Sequence, residues 1–100
     1  MSDIQATLEE RGSRYGEFPN HAKISQDIQK AMMMGYMMRG DGQNYEDLEP
    51  YMIEALAMIA HKIGRILNGD PYYDDSWRDI AGYAQLVVNE LEKKNATQEL

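Results

Sequence analysis

EALAMIAHKIGRILNGDPYYDDSWRDIAGYAQLVV (Glu54–Val88) decides the fold. On both sides of NGDPYYDDS the apolar residues recur at steps of three and four, the period of a helix and not the two-residue alternation of a strand. The stretch therefore reads as two helices joined by a tight turn. Gly69 terminates the first, since glycine accepts the backbone angles of a helix end at little cost. Pro71 lacks an amide hydrogen and blocks continuation. Asp74, Asp75 or Ser76 caps the second, with Ser76 and Asp79 spaced as in a capping box. Pro50 is tolerated in a first turn, so helices are expected over 50–68 and 75–94. Ile53, Leu56, Ile59, Ala60, Ile63, Ile66 and Leu67 form the buried stripe of the first. Trp77, Ile80, Ala84, Val87, Val88 and Leu91 form that of the second. The polar tail NATQEL is expected to fray.

Upstream, Ser2 or Asp3 caps a short helix over 1–12, with Ile4 and Leu8 on its buried side and Gly12 ending it. GSRYGEFP then reads as a linker. It has two readings: a connector whose Tyr15 and Phe18 tuck into the core, or a ligand loop using Arg11, Arg14 and Tyr15. A guanidinium fork suits phosphate, an aromatic face suits a base, and flanking glycines permit close approach. Asn20 caps a helix over 20–38, with Ile24, Ile28, Ala31, Gly35 and Met38 on one stripe. Its tract MMMGYMM is apolar almost all round. Thioethers adapt to irregular surfaces, so the tract reads as a subunit interface or as filler for a small core. RGDGQNYEDLEP breaks the chain into halves, with Asn44 as a capping residue; its RGD and its Glu46–Glu49 pair carry no site by themselves. The expected architecture is all-α: one domain over 1–100, a small four-helix bundle whose last two helices form an antiparallel hairpin, and a homo-oligomer.

Composition narrows the function. A net charge of −7 repels phosphate backbones and anionic membranes, so neither nucleic acid nor a membrane is an expected partner. No run of apolar residues is long enough to span a bilayer. The N-terminal residues carry acids and no apolar signal core, and no cysteine offers a disulfide or thiolate site, so a cytoplasmic location is expected. The acidity is concentrated: residues 41–79 hold nine acids against three bases. Local contacts to a small anion, or a divalent cation, remain open to such a surface.

In an antiparallel hairpin, residues equally far from the turn lie side by side. Arg65 is therefore expected to approach Asp79, and His61 and Lys62 to come near Tyr83, with Gly82 letting the helices close up. The cluster is either an interhelical ion pair that fixes register, or a pocket. In a pocket, Asp75 and Asp79 hold a divalent metal or a ribose hydroxyl, while Lys62 and Arg65 meet phosphate oxygens. Serine-hydrolase order, a phosphate-binding glycine loop and a zinc motif are all missing from the sequence.

ERGSRYGEFPNHA (Glu10–Ala22), EALAMIAHKIGRILNGDP (Glu54–Pro71) and DSWRDIAGYAQLV (Asp75–Val87) together resemble a family of short bacteriophage and prophage proteins. More distantly, the Tyr-Gly loop, the K-I-x-R-I helix and the D-x-x-x-D-I-A-G-Y-A helix are similar to the MazG-like all-α nucleotide pyrophosphohydrolases and the nucleotide-modification-associated domains. That resemblance implies an oligomeric helical bundle that binds nucleoside phosphates, with magnesium on paired acidic motifs of two helices. Only Glu54, Asp75 and Asp79 stand for those acids here: Glu54 is followed at the motif interval by Ala57, and Asp79 is preceded by Ser76. Three functions follow. The leading one is a non-catalytic binder of a nucleotide or nucleotide-derived signal, no cofactor needed, which in an infected bacterium would act as an anti-defence sponge. The others are a magnesium-dependent pyrophosphohydrolase and an interaction protein docking on a host enzyme. The expected ligand contacts are Arg11, Arg14, Tyr15, His61, Lys62, Arg65, Asp75, Asp79 and Tyr83.

Overall fold

The computed structural model describes residues 3–99. Among them are four α-helices, α1 (Asp3–Tyr15), α2 (Phe18–Met37), α3 (Pro50–Asn68) and α4 (Asp74–Glu99), with a single 3₁₀ turn at Tyr45–Asp47 and no strand. α3 lies in the middle, packed by α2 on one flank and α4 on the other, and α1 leans on both α2 and α3. The all-α reading holds, and α3 has the bounds its punctuation predicts, proline in the first turn and Gly69 at the end.

The first half departs from expectation at its glycines. Gly12 does not end α1, which continues to Tyr15. The break falls at Gly16, whose φ of 80° lies in the left-handed region. α2 starts at Phe18 with Pro19 in its first turn and Glu17 as N-cap, so Asn20 is inside the helix and caps nothing. Asn44 caps the 3₁₀ turn, its amide donating to the Asp47 carboxylate at 3.1 Å. The tail does not fray within the described residues: α4 runs through Glu99. Ser2 as a cap, like Leu100 of the tail, lies outside them.

Two corners of the chain interlock. A Cβ on Gly69 would overlap the Arg14 carbonyl oxygen and the Tyr15 backbone, and one on Gly16 would overlap the Asn68 carbonyl oxygen. Both glycines are therefore demanded by close approach, Gly69 despite an ordinary φ of −127°. Across this contact the Asp70 amide donates to the Arg14 carbonyl at 2.8 Å. The Asn68 side-chain amide donates to the carbonyls of Tyr15 (3.0 Å) and Glu17 (2.9 Å). The α1–α2 corner is thereby clasped to the end of α3. Higher up, Gly64 admits the His21 imidazole, which a Cβ would meet at 2.8 Å.

The apolar core is thin. Ala55, Ala60 and Ile66, all on α3, are its buried apolar side chains. Several expected core residues are exposed instead: Ile4 and Leu8 on α1, Phe18 on α2 and Met38 just past its end, Leu67 on α3, and Trp77 and Val88 on α4. Ala31, Gly35 and Ala84 are also exposed. The residues turned inward on α2 include His21, Ile24, Ser25, Ile28, Gln29 and Met32, and on α4 Ser76, Asp79, Ile80, Tyr83, Val87 and Leu91. Half of each inward face is polar, which an apolar-stripe argument does not find.

The glycine assignments separate cleanly by mutation. Gly69→Ala, whose methyl meets backbone that cannot rotate away, should cost at least the upper end of the ~1–3 kcal/mol typical of overpacking. Gly12→Ala, with open space around it inside α1, should instead gain about 0.5–1 kcal/mol. Urea unfolding midpoints of the two variants check both signs.

Candidate functional site

The clasp gathers cations and rings. Arg65 lies over the Tyr15 ring at 4.2 Å, Tyr15 and Tyr73 meet with centroids 6.1 Å apart, and Arg14 lies over Tyr73 at 4.3 Å. Guanidinium, phenol, phenol and guanidinium alternate along this ladder, each cation on the electron-rich face of a ring. Burial pushes the Tyr15 hydroxyl above its ordinary range, Arg65 pulls it back, and the charge of Asp75 adds to the rise. Asp75 is thus near enough to act on Tyr15 through its charge. Arg14 also pairs with Glu10 one turn back.

Between α1, α2 and α3 is an open recess of about 890 Å³. Arg11, Tyr15, His61 and Arg65 line it, together with Leu8 and Phe18. Arg11 and Arg65 form no ion pair among the described residues, so both guanidinium groups keep their hydrogen-bond donors for something else. His61 stands edge-on to His21, centroids 4.3 Å apart, and the His21 Nε2–H donates to the His61 carbonyl at 2.9 Å. Burial, then the neighbouring His21, Arg65 and Lys62, depress the His61 pKa from 6.5 to about 4. At neutral pH this imidazole is uncharged, with one donor and one acceptor nitrogen.

The expected residues do not form one cluster. Arg11, Tyr15, His61 and Arg65 share the recess, with Arg14 at the adjoining ladder and Asp75 acting on Tyr15 through its charge. Lys62, Asp79 and Tyr83 lie on the other flank of α3. Asp79 meets Lys62 at 2.9 Å, and Arg65, its expected partner, is turned away onto Tyr15. His61 likewise packs on His21 of α2 and not on Tyr83. Distance from the turn fixes height along a helix but not direction around it. His61 and Arg65, four apart, share a face; Lys62 is turned by about 100° from His61. Gly82 does not serve close approach, since a Cβ there meets nothing within 4 Å. Glu54 is exposed, and no three histidine, aspartate or glutamate side chains gather into a metal site among the described residues.

The Lys62–Asp79 pair is structural in character. Lys62 is only 8% exposed, so its ammonium depends on one carboxylate for compensation. Three contributors escaped the sequence reading: His21, Phe18 and Tyr73. His21 is the one with a legible signal, since a buried histidine three residues after a helix start faces the same way as Ser25 and Ile28.

No protein-family model, no curated protein and no solved structure matches the chain.

Asp79→Ala should destabilise toward the lower end of the ~3–5 kcal/mol cost of breaking a buried pair, because Asp79 itself is partly exposed. Lys62→Met, which keeps the apolar stem, should cost far less; thermal unfolding of both reads the difference. For His61, the folded state holds the neutral form while the unfolded chain protonates near pH 6.5. Its contribution is therefore complete above pH 6.5 and lost as pH falls toward 4. Wild-type stability should drop more steeply across that window than that of His61→Gln, as followed by denaturant midpoints at several pH values.

Proposed function

We propose that the protein is a non-catalytic binder of a nucleotide or nucleotide-derived signalling molecule, held in the recess between α1, α2 and α3. The observation that carries this reading is that Arg11 and Arg65, neither in an ion pair among the described residues, line one hollow with an aromatic side chain and a neutral imidazole. Guanidinium forks match phosphate oxygens. Tyr15 and Phe18 offer π-faces to a base, which stacks on any aromatic ring. The neutral His61 supplies directional hydrogen bonding without repelling a positively polarised base edge.

Several features support binding over hydrolysis. Two-metal phosphate hydrolysis needs converging carboxylates. Asp79 is engaged by Lys62, Asp75 acts on Tyr15 through its charge, and Glu54 lies about two turns up α3 from Lys62. We further propose that α3 and α4 run antiparallel as a hairpin, a reading supported by the Lys62–Asp79 contact near the turn and by a recess shared by Tyr51 of α3 and Lys94 of α4 far from it. In an infected bacterial cytoplasm such a binder would act as a sponge for a host defence messenger; that step rests on the phage-family resemblance. A second reading, an interaction protein docking on a host enzyme, is favoured by the exposed methionines 33, 34, 37 and 38.

Calorimetric titration against a panel of mono-, di- and cyclic nucleotides tests the proposal. Wild-type protein should bind at least one, and Arg65→Ala should weaken that binding 10–100-fold with unchanged helical circular dichroism. Arg65→Lys should fall between, keeping charge but losing the planar stack. Absence of binding across the panel, or Arg65→Ala binding as wild type, would contradict it.

A further inference from the structure

The described fold leaves too much surface for a chain of its size. Its accessible area is 7359 Å², against about 5,800 Å² for a folded monomer of this mass by the surface–mass relation. Its radius of gyration is 16.8 Å, against about 13 Å for a hundred-residue domain. The excess, roughly 1,500 Å², exceeds the ~800 Å² that each partner buries in a standard-size interface. α3 is already flanked on both sides, so its own chain has no further helix with which to cover α4.

The outer flank of α4 is patterned to be covered. Trp77, Ala81, Ala84, Val88 and Leu91 follow one another at steps of four, three, four and three, the spacing of a coiled-coil seam. Trp77, Ala81, Ala84 and Val88 are turned outward, whereas Ser76, Ile80, Tyr83 and Val87 are covered by the rest of the chain, and Leu91 lies on the border between the two faces. Trp77 is 54% and Val88 42% exposed, Ala81 and Ala84 are exposed, and Leu91 is half-buried. The indole N–H of Trp77 already donates to the Pro71 carbonyl at 2.9 Å, so covering the ring strands no donor.

We infer that this seam packs antiparallel against the same seam of a second copy of the chain, around a two-fold axis near Gln85. Two properties of the sequence select the antiparallel register. Beyond Trp77, the seam carries two small residues, Ala81 and Ala84, followed by two larger ones, Val88 and Leu91. In the antiparallel pairing, Ala81 faces Leu91 of the second copy and Ala84 faces Val88, small against large, which fills the interface evenly. A parallel pairing sets alanine on alanine and leaves a gap. Charge agrees: Arg78 and Glu92 flank the seam seven residues either side of Gln85, so each Arg78 meets a Glu92 of the second copy. Arg78 currently pairs with Asp74 in a fully solvated i,i+4 contact, which is exchanged at little cost.

Sedimentation velocity and equilibrium on the full chain test this. Wild type should self-associate at micromolar concentration, and Ala84→Glu, at an exposed position, should raise the dissociation constant at least ~100-fold while circular dichroism stays helical. Arg78→Glu and Glu92→Arg should each weaken association about fivefold or more, and the double charge reversal should restore it. That restoration also distinguishes a lost interface from a misfolded chain. A monomeric wild type, an Ala84→Glu variant that assembles like wild type, or a double reversal no better than its single parents would overturn the inference.

Discussion

Everything at the candidate site depends on one close contact, the approach of the α1–α2 corner to the end of α3. Gly16 and Gly69 give up their side chains so that backbone meets backbone, and Asn68 ties the corner down through two carbonyls. These are short-range, directional interactions in a molecule whose apolar core is thin. They set the position of Tyr15, and Tyr15 in turn sets Arg65. Without the clasp, Arg65 would be one more solvated cation on an acidic protein.

The same contact explains why the recess is polar in its chemistry and open in its shape. α1 is tied to the end of α3 at the corner, where the Asp70 amide donates to the Arg14 carbonyl, and its earlier turns expose Ile4 and Leu8. The hollow is lined by the edge-on pair His21 and His61 of α2 and α3 on one side and by exposed side chains of α1 on the other. Burial, then the neighbouring His21, Arg65 and Lys62, favour the uncharged His61 ring there. An uncharged imidazole beside two guanidinium groups that form no ion pair among the described residues leaves the net positive charge of the recess on Arg11 and Arg65.

How much of this was legible in the residues alone divides along physical lines. α3 was readable end to end because proline and glycine act locally, through the missing amide hydrogen and the missing Cβ. Gly12 and Gly16 could not be told apart, since the difference between them is what they touch fifty residues away. Arg11, Tyr15, His61 and Arg65 were all recognisable as residues suited to a nucleotide-like ligand, but their grouping was not. Pairing by distance from the turn set Asp79 against Arg65 and Lys62 beside Tyr83, whereas Asp79 meets Lys62 and the rotation of α3 sends Arg65 and His61 to the opposite flank. The apolar-stripe argument failed on α4 at Trp77, Ala84 and Val88, which fit a helix seam equally well whether the partner is α3 or another chain.

The central claim is that the recess at the clasped corner, and not the Lys62–Asp79 flank, receives the ligand. Amide and side-chain chemical-shift mapping during titration with a bound nucleotide tests it most directly. The account predicts that perturbations concentrate on Arg11, Tyr15, Phe18, His61 and Arg65, with Lys62, Asp79 and Tyr83 unmoved. Perturbations centred on Lys62, Asp79 and Tyr83, with the recess silent, would contradict it.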